Sequence, residues 1–128
     1  MNLLLDTHTF LWFGWGDKQL SHRTRSLIED TGHTKYVSMA SVWEMAIKLN
    51  LGKLKLTRPF EDFLIERVDD NGLEVLPIER THTLQLVSMP LHHRDPFDRM
   101  LVAQCLTEDV PIFSIDAVFD AYGVRRIW

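Results

Sequence analysis

The chain has 128 residues, of which 45% are hydrophobic and 25% charged, values that suit one globular domain with a real core. No apolar run approaches the roughly 20 residues of a membrane span, and the single cysteine, Cys105, excludes an internal disulfide or a zinc site built from several thiolates. The formal net charge of −4 argues only weakly against a nucleic-acid partner, because the distribution of charge matters more than its sum.

The N-terminus, Met1 to Asp6, lacks the basic start and long apolar stretch of a signal peptide. With a lone thiol, this makes the cytoplasm the expected location. Residues 2–5 form a short apolar run that stops at Asp6, the pattern of a buried parallel strand with a carboxylate at its carboxyl end. Asp6 either faces a ligand there or caps the helix that follows. The aromatic stretch from His8 to Trp15 is expected to be mostly core, with Trp12 or Trp15 available to a partner. Ser21 caps a second helix that places Leu27 and Ile28 inward.

Residues 35–38 read as a second strand, and Ser38 or Ser41 caps an apolar helix ended by Gly52. Glu44 sits one turn into that helix. Its i+4 neighbour is Lys48, so it forms a surface ion pair or faces a pocket near the strand end. Lys53, Lys55 and Arg58 make a small basic cluster that is either solvated or set against a phosphate backbone. Pro59 opens a helix through Val68, residues 73–78 form a third strand, and residues 80–89 a helix with Leu84 and Val87 inward. His82, His92 and His93 lack metal-ligand spacing among themselves and are expected at the surface or in packing.

The most informative stretch is 92–105, His-His-Arg-Asp-Pro-Phe-Asp-Arg-Met-Leu-Val-Ala-Gln-Cys. It reads as a helix start with Asp95 at the N-cap, Pro96 at the first helical position and Asp98 in the first turn. Phe97, Leu101, Val102 and Cys105 recur at helical spacing and mark the buried face. Val110 to Ile115 then repeats the first pattern, an apolar strand followed by Asp116, and residues 124–128 form an edge strand. Strands alternating with helices predict a right-handed parallel α/β sheet covered on both faces.

Acids at strand ends and helix starts of such a sheet converge on one crevice. Several carboxylates cannot share a small site uncompensated, and a hard divalent cation such as Mg²⁺ or Mn²⁺ is the natural compensation. With Asp6, Glu44, Asp95, Asp98 and Asp116 set aside, the net charge rises from −4 to +1. Such a site favours metal-assisted hydrolysis of a phosphodiester.

Leu4-Leu5-Asp6-Thr7-His8 resembles the opening of PIN-domain ribonucleases, and among them the VapC-type toxins of bacterial and archaeal toxin–antitoxin pairs. Ser41 to Lys48 resembles the glutamate motif of that family, and Leu51 to Leu54 its continuation. His93-Arg94-Asp95-Pro96-Phe97-Asp98-Arg99 is similar to the third motif, and Ser114-Ile115-Asp116 with Phe119, Tyr122 and Trp128 to the last. The four motifs stand in family order over nearly the whole chain. The resemblance implies a single PIN domain over residues 1–128, a three-layer α/β/α sandwich around a central parallel sheet of four to five strands. It also implies Mg²⁺- or Mn²⁺-dependent endoribonuclease activity on RNA, homodimerisation, and neutralisation by a cognate antitoxin protein.

Carried over residue by residue, Asp6, Glu44, Asp98 and Asp116 form the acidic quartet. Asp6 and Asp98 are then the principal metal ligands, and Glu44 and Asp116 complete the site directly or through water. Asp95 is an extra acid, either a further ligand or only a cap. Ser114 stands where many relatives carry threonine and keeps the hydroxyl. Arg94, Arg99 and the cluster around Lys53 are candidates to hold RNA phosphates. The competing expectations are a catalytically silent module of the same fold that binds RNA or protein, and a metal-dependent phosphatase acting on small molecules.

Overall fold

Leu3, Leu4 and Leu5 alternate across the sheet they build, and the two faces they serve become the two cores of the protein. In the computed structural model, which describes residues 1–128, β1 (Asn2–Leu5) leads into α1 (Thr7–Trp15) and α2 (His22–Glu29). β2 (Thr34–Ser38) and α3 (Met39–Asn50) follow, then α4 (Phe60–Leu64), which runs directly into a π-helical turn over Ile65–Asp69. The second half comprises β3 (Glu74–Leu76), α5 (Arg80–Val87), α6 (Pro96–Glu108), β4 (Ile112–Phe113), a 3₁₀ helix over Ala117–Tyr122, and β5 (Arg126–Ile127).

All strand pairings are parallel, and the strand order is β3-β2-β1-β4-β5. Leu3, Leu5, Val37 and Phe113 point to one face and pack against Phe10, Ile28, Met45 and Phe63. Leu4 and Ile112 point to the other and meet Leu101, Val102, Cys105 and Phe119. The period-two alternation of strand side chains therefore generates the three-layer sandwich. Five strands make the sheet, the upper end of the expected range, and β5 is an edge strand as expected.

The strand order reverses between β1 and β4: the chain moves outward from β1 to β3, then returns to the other side of β1. That reversal opens a crevice beyond the carboxyl ends of β1 and β4, the place where open α/β sheets bind ligands. Asp6 follows β1, and Ser114 to Asp116 follow β4.

Two expectations are corrected. Leu84 and Val87 do not face inward; Val87 is 83% exposed. The inward face of α5 is built instead around His82, which is fully buried, with Leu86 and Met89 packed nearby. The His82 Nδ1 accepts from the Glu79 N–H at 2.9 Å, and its Nε2 lies 2.9 Å from Glu108 Oε1 on α6. Because Nδ1 accepts, Nε2 carries the proton and donates to the carboxylate, so both ring nitrogens are satisfied without solvent. The helix expected from Pro59 to Val68 also changes character, turning from α to π at Ile65.

Candidate metal centre

Asp6 is fixed by its backbone before its side chain does anything. Its N–H donates to Phe113 O (3.2 Å), which ties the end of β1 to β4, and its Oδ1 accepts from the Thr9 N–H at 2.8 Å as the N-cap of α1. Burial pushes the Asp6 carboxyl above the ordinary range, while hydrogen bonds from Ser114 and Thr9 and the charge of His8 oppose the shift. Ser114 is fully buried and also accepts from the Asp116 N–H at 3.0 Å. One hydroxyl thus links the Asp6 side chain to the loop that carries Asp116.

Glu44 reaches the same region from α3 and is buried. Its Oε1 lies 2.7 Å from Thr7 Oγ1, which in turn is 2.8 Å from Ser41 Oγ. A hydroxyl has one proton, so Thr7 gives it to the carboxylate and receives one from Ser41. The other oxygen, Oε2, pairs with Lys48 Nζ at 2.9 Å. The two sequence readings of Glu44 are therefore compatible: it pairs with Lys48 and is turned inward.

Asp98 is the hub. It lies in the first turn of α6, whose start is capped by Asp95 through Oδ1 to the N–H of Phe97 (2.8 Å) and of Asp98 (3.4 Å). Burial pushes the Asp98 carboxyl up to about 7; the charges of Asp95, Asp6 and Glu44 act in the same direction, and His93 acts against them. A carboxylate that feels three other acids in this way is the electrostatic mark of convergence. Asp116 completes the group: single ligand atoms of His93, Asp98 and Asp116 lie within 4.8 Å of one another. Asp116 is exposed, and its Oδ1 accepts from the Val118 N–H at 3.0 Å.

His93 was not foreseen here. Its Nε2 lies 3.0 Å from Asp98 Oδ2, and its Nδ1 accepts from the Asp95 N–H at 3.1 Å. Nδ1 is therefore unprotonated, and Nε2 carries the proton it donates to Asp98. In this tautomer the imidazole is a partner of the ligand set and not a ligand. The only sequence signal was its place two residues before the Asp95 cap.

The three candidate cations fare differently. Arg94 is exposed beside the helix start. Arg99 is committed to the fold, with Nη1 donating to Pro90 O (3.0 Å) and to Tyr122 Oη (3.1 Å). Lys53 is exposed in the turn after α3, where its N–H donates to Lys48 O at 2.8 Å.

Oxygen donors from carboxylates fit a hard divalent cation, and the raised Asp98 carboxyl shows what such a cation would relieve. None of the cavities of the molecule includes any of the four acids; the largest, about 370 Å³, lies between α3 and α4 and is lined by apolar side chains such as Met39, Val42, Phe60 and Leu64. The acids gather at the carboxyl edge of the sheet, outside these cavities.

Fold and site together define a parallel α/β domain with an acidic crevice at its topological switch point. The PIN domain family model matches residues 3–124, and the chain belongs to that family. It is 32% identical over 62 residues to Ribonuclease VapC16 of Mycobacterium tuberculosis, a match covering 48% of this chain and less than half, 44%, of that relative. Among solved structures it is similar to a chain of VapBC2 from Rickettsia felis bound to a DNA fragment from their promoter, with TM-score 0.72 at 12% identity, covering 99% of this chain and 98% of that one. It is also similar to a chain of FitAcB from Neisseria gonorrhoeae, with TM-score 0.64 at 15% identity, covering 98% and 96%. At such identities the structural likeness speaks for the fold alone.

Proposed function

We propose that this protein is a metal-dependent endoribonuclease that acts as the toxin of a toxin–antitoxin pair. The observation that carries the reading is the approach of Asp98 and Asp116 ligand atoms to within 4.8 Å of each other, with Asp6 and Glu44 near enough to act on the Asp98 carboxyl. When bound, Mg²⁺ or Mn²⁺ would supply an activated water and neutralise charge developing on a phosphate. Asp6 and Asp98 are the proposed principal ligands, with Glu44 and Asp116 completing the set. Asp95 holds the first turn of α6 and adds negative charge next to Asp98. His93 and Ser114 orient Asp98 and Asp6. Thr7, Ser41 and Lys48 hold Glu44. Arg94, exposed beside the start of α6, is the first candidate for a phosphate of the strand; Arg99 is held within the fold, and Lys53, in the turn after α3, is the second candidate.

The likeness to Ribonuclease VapC16 favours RNA over the small substrates of a phosphatase. The relatives VapBC2 and FitAcB support a cognate antitoxin protein as partner, and a homodimer working in the cytoplasm completes the reading. No helix is long and apolar enough to cross a membrane.

The test is incubation of purified protein with total cellular RNA, with Mg²⁺, with Mn²⁺ and with EDTA. Discrete metal-dependent products from the wild type, absent from Asp6→Asn and Asp98→Asn, are expected. RNA or partner binding without any metal-dependent product would point to a silent binding module instead.

A further inference from the structure

Trp43 is the most exposed tryptophan of the chain, at 58%, and it stands one residue before Glu44 on α3. Leaving an indole in water forgoes substantial apolar burial. Yet the ring is held in place. It meets Phe97 edge to face, with centroids 5.1 Å apart and planes at 75°. Phe97 in turn stands one residue before Asp98, and its N–H is gripped by the Asp95 cap at 2.8 Å. Two aromatic residues that each immediately precede a site acid thus fix one another at the rim of the crevice.

The other exposed or half-buried indoles lack this placement. Trp12 is engaged by His8 and Trp128, and Trp15 lies at the far end of α1, nine residues from Asp6 and about 14 Å along the helix. Phosphates approaching the acids would be met by cations, whereas an anchored apolar ring offers nothing to a phosphate. It suits the face of an unstacked base.

We propose that Trp43, buttressed by Phe97, stacks on a nucleobase flanking the phosphodiester held at the acids, and so helps determine where the strand is cut. This rests on the ribonuclease reading above. Every base has a π-face, so the platform sets register and gives modest preference for bases that stack strongly.

The test uses an RNA oligonucleotide spanning a site that the wild-type protein cuts, assayed with Mn²⁺. Trp43→Ala should raise KM about tenfold, as loss of one aromatic–base stack does, with kcat within about twofold, and Trp43→Phe should restore most of the loss. The decisive arm places an abasic nucleotide at each position flanking the cut in turn. At one of them the wild type should lose a similar factor and Trp43→Ala should lose nothing further. Unchanged KM in Trp43→Ala overturns the proposal, and so does a loss that persists in full on every abasic strand. A change of oligomeric state in Trp43→Ala, read by light scattering, also overturns it and assigns the indole to contact between copies. Failure of the ribonuclease reading is distinct, because the wild type itself would then cut nothing.

Discussion

Replacing Asp98 by asparagine should make the metal-free protein more stable and at the same time inactive. The folded Asp98 carboxyl titrates near 7 instead of 3.8. Between those values the folded state holds a proton that the unfolded chain has released, so stability falls as pH rises through this window and is highest below it. A three-unit difference corresponds to about 4 kcal/mol as a ceiling. The side chain is about one quarter exposed, and solvent screening brings the expected penalty above pH 7 to roughly 1–2 kcal/mol. The Asp98→Asn variant keeps the shape of the side chain without its charge, so the pH-dependent part of the penalty should shrink, leaving the contribution of Asp6, whose carboxyl is shifted the same way. Thermal unfolding in EDTA from pH 4.5 to 8.5 reads this directly. The wild-type midpoint should drop by about 3–8 °C relative to the variant across the range, and Mn²⁺ should restore the wild type but not the variant. Parallel curves for the two proteins, or a variant less stable than wild type at pH 8, would refute the convergence of charge on Asp98.

Other substitutions separate support from chemistry. Asp95→Asn keeps an N-cap acceptor and should leave stability within a few tenths of a kcal/mol, whereas Asp95→Ala should cost about 1 kcal/mol in urea titrations; activity retained in Asp95→Asn assigns the residue to the cap, and activity lost assigns it to the metal. Ser114→Ala removes the hydroxyl between Asp6 and the Asp116 loop, and should lower Mn²⁺-dependent cleavage about 10- to 100-fold with the fold intact by circular dichroism. His82→Ala, far from the acids, should destabilise by about 2–4 kcal/mol, because it opens a cavity and orphans the Glu79 N–H. That loss appears as a lower urea midpoint with unchanged cleavage by the folded protein.

The strands were legible in the sequence because Leu3, Leu4 and Leu5 and the run ending at Phe113 must be buried on both faces of a parallel sheet. Asp6 and Asp116 stood out because each ends an apolar run, and Asp98 because Asp95 and Pro96 mark the helix start that carries it. Glu44 was ambiguous: an i+4 lysine looks the same whether the pair lies on the surface or half inside. The inward face of α5 was misread because a fully buried histidine, satisfied at both nitrogens by Glu79 and Glu108, occupies the place an apolar side chain would take. Leu84 and Val87 were left outside as a result. His93 was missed because its partner is a carboxylate and not another histidine, so no ligand spacing advertised it. The diversion of Arg99 to Pro90 and Tyr122 depends on contacts between separate segments, which charge patterning does not encode.

The most direct measurement is Mn²⁺ binding followed by electron paramagnetic resonance, since free Mn²⁺ gives a signal that bound Mn²⁺ largely loses. Titrating the wild type should reveal saturable binding that is lost or severely weakened in both Asp6→Asn and Asp98→Asn, while His82→Ala still binds. Undiminished binding in the two acid variants, or none in the wild type, would contradict a metal centre built from these carboxylates.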